Sequence, residues 1–323
     1  MFKDIKRASL KNKNNKVWYY LVNYLRQYIP SRASLKQFEK EYAQLGSATK
    51  AYIQNRVSYY NRMDEKVVLP SNAVALSDFK LKDYPLKVYY FDTYQYTRFF
   101  PSNLRICPLF GDISYVPDVP SLTKARPIGG DNANSVLLKL NKIRHFLFVK
   151  DKNRFEDKKN LLVGRSKARQ PHRVRFLDMY FNHPLCDIGQ VNRDMNLHYL
   201  ANRLTIGEHL KYKFILCLEG NEVASNLKWV MSSNSIAVMP KPKCESWFME
   251  GTLIPDHHYI LIKDDYSDLE ERLNYYIEHT DKAIQILENA HMHVAQFRNK
   301  KREDLISILV LEKYFRQMIL PNS

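Results

Sequence analysis

The spacing of apolar residues along the chain predicts helices first and short strands after them. Near the start, apolar residues recur at helical spacing with tyrosines between them, which predicts an amphipathic helix: Trp18, Leu21, Val22, Leu25 and Ile29. A second helical pattern covers residues 31–63. Further on, short apolar runs predict strands at 88–91, 106–110 and 146–149, with a proline-punctuated loop at 117–127 and a helix near 135–144.

Strands and helices alternate more clearly in the second half. The pattern predicts strands at 161–163, 214–218, 235–239 and 259–262, and helices near 172–181, 224–232, 281–298 and 302–318. The spacing Ser267-x-x-Glu270 is that of a capping box and predicts another helix there. Such alternation is typical of an α/β fold with a parallel sheet covered on both faces.

A polar stretch divides the chain. Residues 150–160 carry Lys, Asp, Glu and Asn with almost no apolar content. We therefore expect an N-terminal domain at 1–157, which includes the helical extension, and a C-terminal domain that begins at residue 158. A chain of 323 residues is long enough for two such domains.

The charge balance predicts an anionic partner. The chain has 50 Lys and Arg against 34 Asp and Glu, a net charge of +16. Nucleic acid, anionic lipid and a phosphorylated substrate all fit that charge. The basic, aromatic helix at 17–29 suits a membrane interface as well as ordinary packing on a domain. A nucleic-acid-binding protein is the less favoured interpretation, because the basic residues are dispersed and lack a known binding motif.

Targeting and redox signals favour a cytoplasmic protein. No apolar run reaches the length of a membrane-spanning helix, and the first residues do not have the form of a secretory signal. The cysteines at positions 107, 186, 217 and 244 are widely spaced, which indicates reduced thiols.

Several catalytic motifs are missing from the sequence. It contains no P-loop, no G-x-G-x-x-G and no G-x-S-x-G. It also contains no Asp-x-Asp, the pair that commonly chelates a cation bridging a sugar diphosphate. The close histidine pairs have no thiols or carboxylates at ligand spacing. We therefore expect neither a metal nor a permanently bound cofactor.

Two strand ends carry residues suited to bind an anion. The first is Gly164-Arg165-Ser166, with Arg169 and Arg173 leading into a helix. Ligands of open α/β sheets bind beyond the carboxyl ends of strands, and Arg forks pair with phosphate oxygens. A solvated basic turn is the alternative.

The second strand end runs through Glu219 into a glycine-containing turn and a helix start, where backbone N–H groups favour an anion. Its candidate binding residues are Gly220, Asn221, Val223, Ala224, Ser225, Asn226 and Lys228. Glu219 and Glu222 would repel an anion and are better suited to accept sugar hydroxyls.

Two aspartates are candidates for a general base. Asp92 follows the predicted strand 88–91, and Asp112 follows the predicted strand 106–110. A general base must reach the hydroxyl that it deprotonates. Most aspartates at strand ends are turn or cap residues, which is the alternative for both.

Long ordered motifs in the chain resemble those of glycosyltransferase family 90, particularly its bacterial lipopolysaccharide-core branch and more distantly the protein O-glucosyltransferases. The resemblance covers about residues 85–300 and is carried by these runs: 111–128, 134–146, 176–189 and Glu219–Asp268. The most specific motifs are Glu219–Trp229 and Trp247-Phe248-Met249-Glu250-Gly251. It implies a GT-B architecture, two Rossmann-like domains with the active site in the cleft between them. It also implies that the nucleotide-sugar domain is 158–300 and that the last segment, 301–323, packs back on the first domain.

The resemblance further implies an inverting, metal-independent transfer from a UDP-sugar. Asp92 best matches the family's base, and Asp112 is the second choice. The family's arginine-bearing loop corresponds to Gly164-Arg165-Ser166 followed by Arg173, although the eukaryotic order is Arg-Gly. In the later phosphate-binding turn, Asn226 replaces the family's arginine and Lys228 is retained. Glu250 is expected to belong to the donor site.

The implied reaction moves a hexose to a hydroxyl of a lipopolysaccharide or lipooligosaccharide core. The expected partners are therefore a UDP-hexose and an anionic glycolipid, not nucleic acid. The expected location is the bacterial cytoplasm, with the helix at 17–29 near the inner membrane. An inactive scaffold with the same architecture is the remaining alternative.

Overall fold

The computed structural model describes residues 14–29 and 34–319. The helices are α1 Lys16–Leu25, α2 Leu35–Ala43, α3 Ser47–Tyr60, α4 Lys87–Thr97, α5 Lys142–His145, α6 Pro171–Tyr180, α7 Ile206–His209, α8 Leu227–Met231, α9 Leu269–Glu278, α10 Thr280–Ala295 and α11 Lys300–Gln317. The strands are β1 Val67–Val68, β2 Val74–Ala75, β3 Arg105–Ile106, β4 Ser121–Thr123, β5 Ala125–Pro127, β6 Ser135–Leu137, β7 Lys159–Ser166, β8 Cys186–Gln190, β9 Tyr212–Leu216, β10 Ile236–Met239, β11 Cys244–Ser246, β12 Ile260–Leu261 and β13 Met318–Ile319. Single 3-10 turns lie at Leu81–Asp83, Leu197–Tyr199 and Glu250–Thr252. None of the helices in the described part of the chain is long and apolar enough to cross a membrane.

The chain divides into two compact units. The sheet unit contains Asn14 and residues 144–242 and 252–296, and the helical unit contains the other described residues. The division falls at residue 143 instead of the expected 157, because the residues between them pack into the sheet unit. Phe155 lies in that unit's core, and the N–H of Val149 donates to Ser232 Oγ at 2.9 Å. The last helix, α11, belongs to the helical unit.

A five-stranded parallel sheet forms the centre of the sheet unit, in the order β12-β10-β9-β7-β8. The predicted parallel sheet and its strands at 161–163, 214–218, 235–239 and 259–262 are confirmed, each within a few residues. Phe214, Val238 and Ile260 have no exposed surface. Strands buried on both faces appear in a sequence as continuous apolar runs, which is why the pattern could identify them. Strand β8 was not predicted.

Helices α6, α9 and α10 supply apolar side chains to the core of the sheet. Phe176, Leu273 and Ile286 represent the three helices in this core, and all are buried. The predicted capping box at Ser267 and Glu270 does not form. Helix α9 begins one residue later, with Asp268 as its N-cap, and the Ser267 hydroxyl donates to Asp265 at 2.8 Å.

The helical unit is built mainly on α3, α4 and α11, with small two-stranded pairings around them. Several predicted elements are wrong here. Residues 88–91 lie in helix α4, and residues 135–137 form a strand instead of a helix. In the sheet unit, residues 146–149 form no strand. Helix α4 buries residues on most of its faces, so its sequence has no helical periodicity for a pattern to detect.

A buried polar cluster holds the helical unit together around Trp247. The indole stacks on Tyr60 with 3.8 Å between ring centroids, and its Nε1–H donates to Glu303 of α11 at 2.6 Å. The Arg56 guanidinium lies 3.0 Å from the same carboxylate, with both side chains buried. Helix α11 is therefore tied to α3 and to the segment after β11 by one carboxyl group.

A second buried cluster in the helical unit surrounds Glu245, which lies on β11 beside β5. Arg126 Nε donates to the Glu245 carboxylate at 2.8 Å, and the Tyr59 hydroxyl also donates to it. Gly251 packs closely on this cluster, since a Cβ there would stand 2.4 Å from Glu245 Oε2. The resemblance motif that ends in Gly251 therefore has a structural role.

Candidate active site

The order of strands in the sheet defines one crevice. From β7 the chain passes to β8 on one side, and then to β9, β10 and β12 on the other side. The loops after β7 and β9 therefore diverge at the carboxyl edge of the sheet. This is the topological switch point, where open α/β sheets bind their ligands. Both segments that the sequence predicts to bind an anion lie at this point.

Arg173 ties the two loops of the switch point together. It stands in the first turn of α6, and its Nε and Nη2 donate to the carbonyls of Glu219 and Leu218, both at 2.9 Å. Its Nη1 donates to the carbonyl of Lys167 at 3.0 Å. Burial lowers the pKa of Arg173 below the usual value. The loops after β7 and β9 are thus joined by a half-buried guanidinium.

Two further contacts join the same loops. Gln170 Nε2 donates to Asn221 Oδ1 at 2.9 Å, and His172 Nε2 lies 2.9 Å from the carbonyl of Glu219. The predicted segments around Gly164 and Gly220 therefore lie side by side at the carboxyl edge of the sheet. The sequence alone could not show that these segments meet, because they are far apart along the chain.

Arg165 does not point across this crevice. Its Nη2 lies 2.5 Å from the Asp187 carboxylate on β8, and its Nε donates to the carbonyl of Asn202 at 2.9 Å. Burial alone would raise the pKa of Asp187, but hydrogen bonds from Tyr212 and Arg165 outweigh it and lower the pKa. Asp187 lies in the run 176–189, which carries the family resemblance but gave this residue no role. In the structure, Asp187 holds Arg165.

The neighbours of Arg165 in the same segment are mainly structural. Gly164 allows β7 to lie against β9, since a Cβ would stand 3.1 Å from the Cβ of Leu216. The carbonyl of Ser166 accepts the N–H of Val191 at 2.9 Å. Arg169 is exposed and pairs with Asp194. Of the predicted arginines, Arg169 is the one that faces solvent most openly.

The turn after β9 is less cationic at its surface than the sequence suggested. Lys228 has no exposed surface, and its Nζ lies 5.8 Å from the ring centroid of Phe146. Asn226 Nδ2 donates to the carbonyl of Leu216 at 2.9 Å. Val223 and Ala224 are buried, while Ser225 is half-buried. Lys228 can act on a ligand only through its field, not by direct contact.

Glu250 belongs to the helical unit. It accepts hydrogen bonds from the N–H and hydroxyl of Ser246, at 2.6 and 2.9 Å, and is buried. Its partner Ser246 lies on β11 of the same unit. A motif match could not show this, because the segment 243–251 leaves the sheet unit and pairs with β5.

The two candidate bases have different surroundings. Asp92 lies within α4, not at a strand end, and is 1% exposed. Its carboxylate accepts the Tyr19 hydroxyl at 2.8 Å and the N–H of Lys142 at 2.9 Å, and Lys142 Nζ lies at 3.3 Å. These contacts occupy both oxygens.

Asp112 follows a loop and has a side chain that is 41% exposed. The ammonium of Lys124 lies 2.7 Å from its carboxylate. Lys124 itself is buried, with its Nζ 5.7 Å from the ring centroid of Tyr89. The carboxylate is thus held by a fixed cation and still reaches solvent.

Comparison with known proteins gives two agreeing matches. Residues 142–316 match the family model described as glycosyl transferase family 90. An O-glucosyltransferase LpsA from Dichelobacter nodosus is 40% identical over 284 residues, which is 88% of this chain and 87% of the relative. The chain belongs to glycosyltransferase family 90.

The part of this family 90 protein that matches the family model includes the whole sheet unit from β7 onward and the later segments of the helical unit. It begins at residue 142, so Asp92 and Asp112 both lie outside it. Among the residues that the structure describes, no three His, Cys, Asp or Glu side chains are grouped to hold a metal ion.

The roles of some residues of the family 90 protein were not predicted from its sequence. Lys124 holds Asp112, and Asp187 holds Arg165, yet neither was given a role. The sequence did contain a signal that Lys124 is buried with a partner. A lysine among the apolar residues of a segment bounded by prolines is unusual unless it is paired with an acidic group. The cations at 193 and 203 gave no such signal.

Proposed function

We propose that the protein transfers a hexose from a UDP-sugar to a hydroxyl group of a lipopolysaccharide or lipooligosaccharide core, with inversion and without a metal ion. The observation that carries this proposal is the switch point joined by Arg173, in a chain that belongs to glycosyltransferase family 90. The relative is named an O-glucosyltransferase, so UDP-glucose is the first donor to test. The proposed architecture is GT-B, with the sheet unit as the donor domain.

The electrostatics of the sheet unit support a diphosphate at the switch point. The N-terminus of α6 carries the positive end of the helix dipole, and Arg173 adds a half-buried positive charge in the first turn. A charge in a low-dielectric surrounding acts more strongly on its neighbours than one in water. Departure of the nucleoside diphosphate places negative charge on the leaving oxygen, and these groups would stabilise it.

The geometry favours Asp112 over Asp92 as the general base. An acceptor hydroxyl must approach the carboxylate that takes its proton. Asp112 reaches solvent beside Lys124, whereas Asp92 is buried and occupied on both oxygens. In the proposed step the hydroxyl oxygen attacks the anomeric carbon, the bond from that carbon to the diphosphate breaks, and the proton passes to Asp112.

Thermal unfolding with nucleotides tests the donor. We expect UDP and UDP-glucose to raise the melting temperature, with the same shift in the presence of EDTA, since no metal is proposed. A ligand at 100 times its dissociation constant adds about 2.7 kcal/mol, which is easily measured. GDP and ADP serve as controls.

If EDTA abolishes the rise in melting temperature that UDP causes, the proposed metal independence is wrong. Absence of any nucleotide shift would favour an inactive scaffold or, if the protein binds oligonucleotides tightly and with strong salt dependence, a nucleic-acid-binding protein.

The outer side of α1 supports a peripheral location on an anionic membrane. Tyr20 and Tyr24 pack on Phe91 of α4, which fixes the opposite side of the helix. Large apolar residues nevertheless stay exposed along α1 and just beyond it, and together they define the α1 surface: Val17, Trp18, Leu21, Leu25, Tyr28 and Ile29. An exposed apolar stripe with Trp and Tyr is typical of helices that lie in the bilayer interface.

Cations accompany the α1 surface. Lys16 is exposed at the start of the helix, and Lys87 Nζ donates to the Tyr24 hydroxyl at 3.2 Å beside it. The sequence at 1–13, which lies outside the described residues, adds five Lys and Arg against one Asp. Basic residues near an anionic leaflet each contribute about 1 kcal/mol to binding. The proposed site of action is the cytoplasmic face of the inner membrane.

Vesicle flotation tests this location. The full chain should float with vesicles that contain phosphatidylglycerol and much less with phosphatidylcholine alone. Trp18→Ser/Leu21→Ser should reduce flotation about tenfold or more, since each buried apolar side chain contributes about 1.5–3 kcal/mol. Ile254→Ser/Met292→Ser removes two exposed apolar residues of the sheet unit and serves as the matched control. Equal losses in both double variants, or none in the first, would rule out the α1 surface.

A further inference from the structure

A basic cavity lies on the other side of β7 from the switch point. Its volume is about 690 Å³, and three segments line it: the loop after β7, the loop after β8, and residues 200–203. Clefts of roughly 300–1,000 Å³ are the usual size for small-molecule sites. Of its lining residues, Arg169 alone was a candidate for the donor site.

The walls of this cavity are fixed by hydrogen bonds and close packing. The N–H of Ala201 donates to the carbonyl of Gln190 at 3.0 Å, which holds residues 200–203 beside the edge strand β8. Gly189 permits this approach, since a Cβ there would stand 2.4 Å from the Cβ of Ala201. On the opposite wall, Asn192 Oδ1 accepts the N–H of Ala168 at 3.0 Å.

The cavity concentrates positive charge. Lys167, Arg169, Arg193 and Arg203 line it, against the one carboxylate of Asp194. Arg169 pairs with Asp194, and both side chains are more than half exposed, so this pair is weak and can exchange. In the described part of the chain, the side chains of Lys167, Arg193 and Arg203 form no ion pair.

Clustered cations repel one another, and a bound oxyanion would relieve that repulsion. Arg side chains also present forked donors that match the oxygens of a phosphate. Hydrogen-bond donors are thus available from three loops around a volume large enough for a phosphorylated sugar. Gly189 and Asn192 hold the walls of this cavity in fixed positions, which a purely solvated basic surface would not require.

We propose that this cavity is a second oxyanion site, which binds a phosphate monoester on a saccharide, separately from the donor diphosphate at the switch point. The assignment to a saccharide rests on the proposed function, because a glycosyltransferase with an anionic acceptor needs such a contact. Binding of the phosphate group itself does not depend on it. The two regions share the loop after β7 but face different strands, β8 here and β9 at the switch point.

Isothermal titration of the full chain tests the proposal with three probes: inorganic phosphate, glucose 6-phosphate and UDP. We expect glucose 6-phosphate to bind more tightly than phosphate and to bind equally well when UDP is saturating. Arg193→Gln/Arg203→Gln should weaken glucose 6-phosphate binding about tenfold or more, because both substitutions remove charge-assisted hydrogen bonds to the phosphate. The affinity for UDP should not change.

A matched control removes two exposed lysines from the amino edge of the same sheet, Lys152→Gln/Lys211→Gln. Equal weakening in the control would show a general charge effect and would overturn the site. Competition between UDP and glucose 6-phosphate, or loss of UDP binding in the arginine variant, would make the cavity part of the donor site instead. If glucose 6-phosphate fails to bind the unaltered chain, the proposal is wrong. Failure of UDP alone to bind would count against the proposed transferase and leave the oxyanion site standing.

Discussion

Asp112→Asn should lower the rate of sugar transfer by about 10²- to 10⁴-fold, the usual contribution of a positioned general base. The amide keeps the size of the side chain but cannot take the proton of the acceptor hydroxyl. The affinity for UDP and the melting temperature should stay close to those of the unaltered protein, because Asp112 is partly exposed. Initial rates with UDP-glucose and core acceptor, together with a thermal melt, measure all three quantities.

Asp92→Asn is the informative comparison. It removes the charge that Lys142 faces in the interior of the helical unit, so it should lower the melting temperature. Any fall in rate should follow the unfolded fraction and disappear at a lower assay temperature. If Asp92→Asn instead abolishes transfer with an unchanged melt while Asp112→Asn is active, the base is Asp92 and our assignment is reversed.

Arg126→Met should destabilise the helical unit by about 3–5 kcal/mol, the cost of leaving a buried carboxylate without its partner. Glu245 is 1% exposed, and Arg126 supplies its charged hydrogen bond at 2.8 Å. Arg62 lies 3.6 Å from the same carboxylate and is more exposed, so we expect it to recover only part of the loss. Urea unfolding followed by tryptophan fluorescence would detect the change, because Trp247 lies in this unit.

The double variant Arg126→Met/Glu245→Gln provides the control for that prediction. It removes both charges, so it should be more stable than Arg126→Met alone. A double variant that is less stable than the single one would show that Glu245 is held mainly by its other neighbours, Tyr59 and Arg62. The ion pair would then contribute little.

The sheet unit could largely be predicted from the sequence, and the helical unit could not. Strand β10 is buried along its whole length and β9 at all but its last residue, so both contain apolar runs, while α9 keeps a clear amphipathic period. Helix α4 is buried on most sides, and strands such as β3 contain two residues. A pattern method has no period to detect in either case.

The candidate site was predictable in its location but not in its contacts. The strand ends at Gly164 and Gly220 were identified because a glycine, basic residues and a following helix give a local signal. The actual partners of Arg165 and Arg173 lie 22 and 46 residues away, at Asp187 and the carbonyl of Glu219. No local pattern reveals whether an arginine faces a ligand or a carbonyl. The same limitation left the burial of Lys228 unpredicted and put Glu250 in the expected C-terminal domain, whereas it belongs to the helical unit.

The helical unit is assembled from segments that are far apart in the sequence, which determines when it can fold during synthesis on the ribosome. Glu303 of α11 supplies the carboxylate for both Arg56 and Trp247, and β1 pairs with β13 through Val67 and Met318. The N-terminal helices must therefore wait for nearly the whole chain to emerge before their buried arginine is neutralised. The sheet unit, complete at residue 296, is available earlier. Nascent chains stalled before α11 should consequently contain a folded sheet and a protease-sensitive N-terminal half.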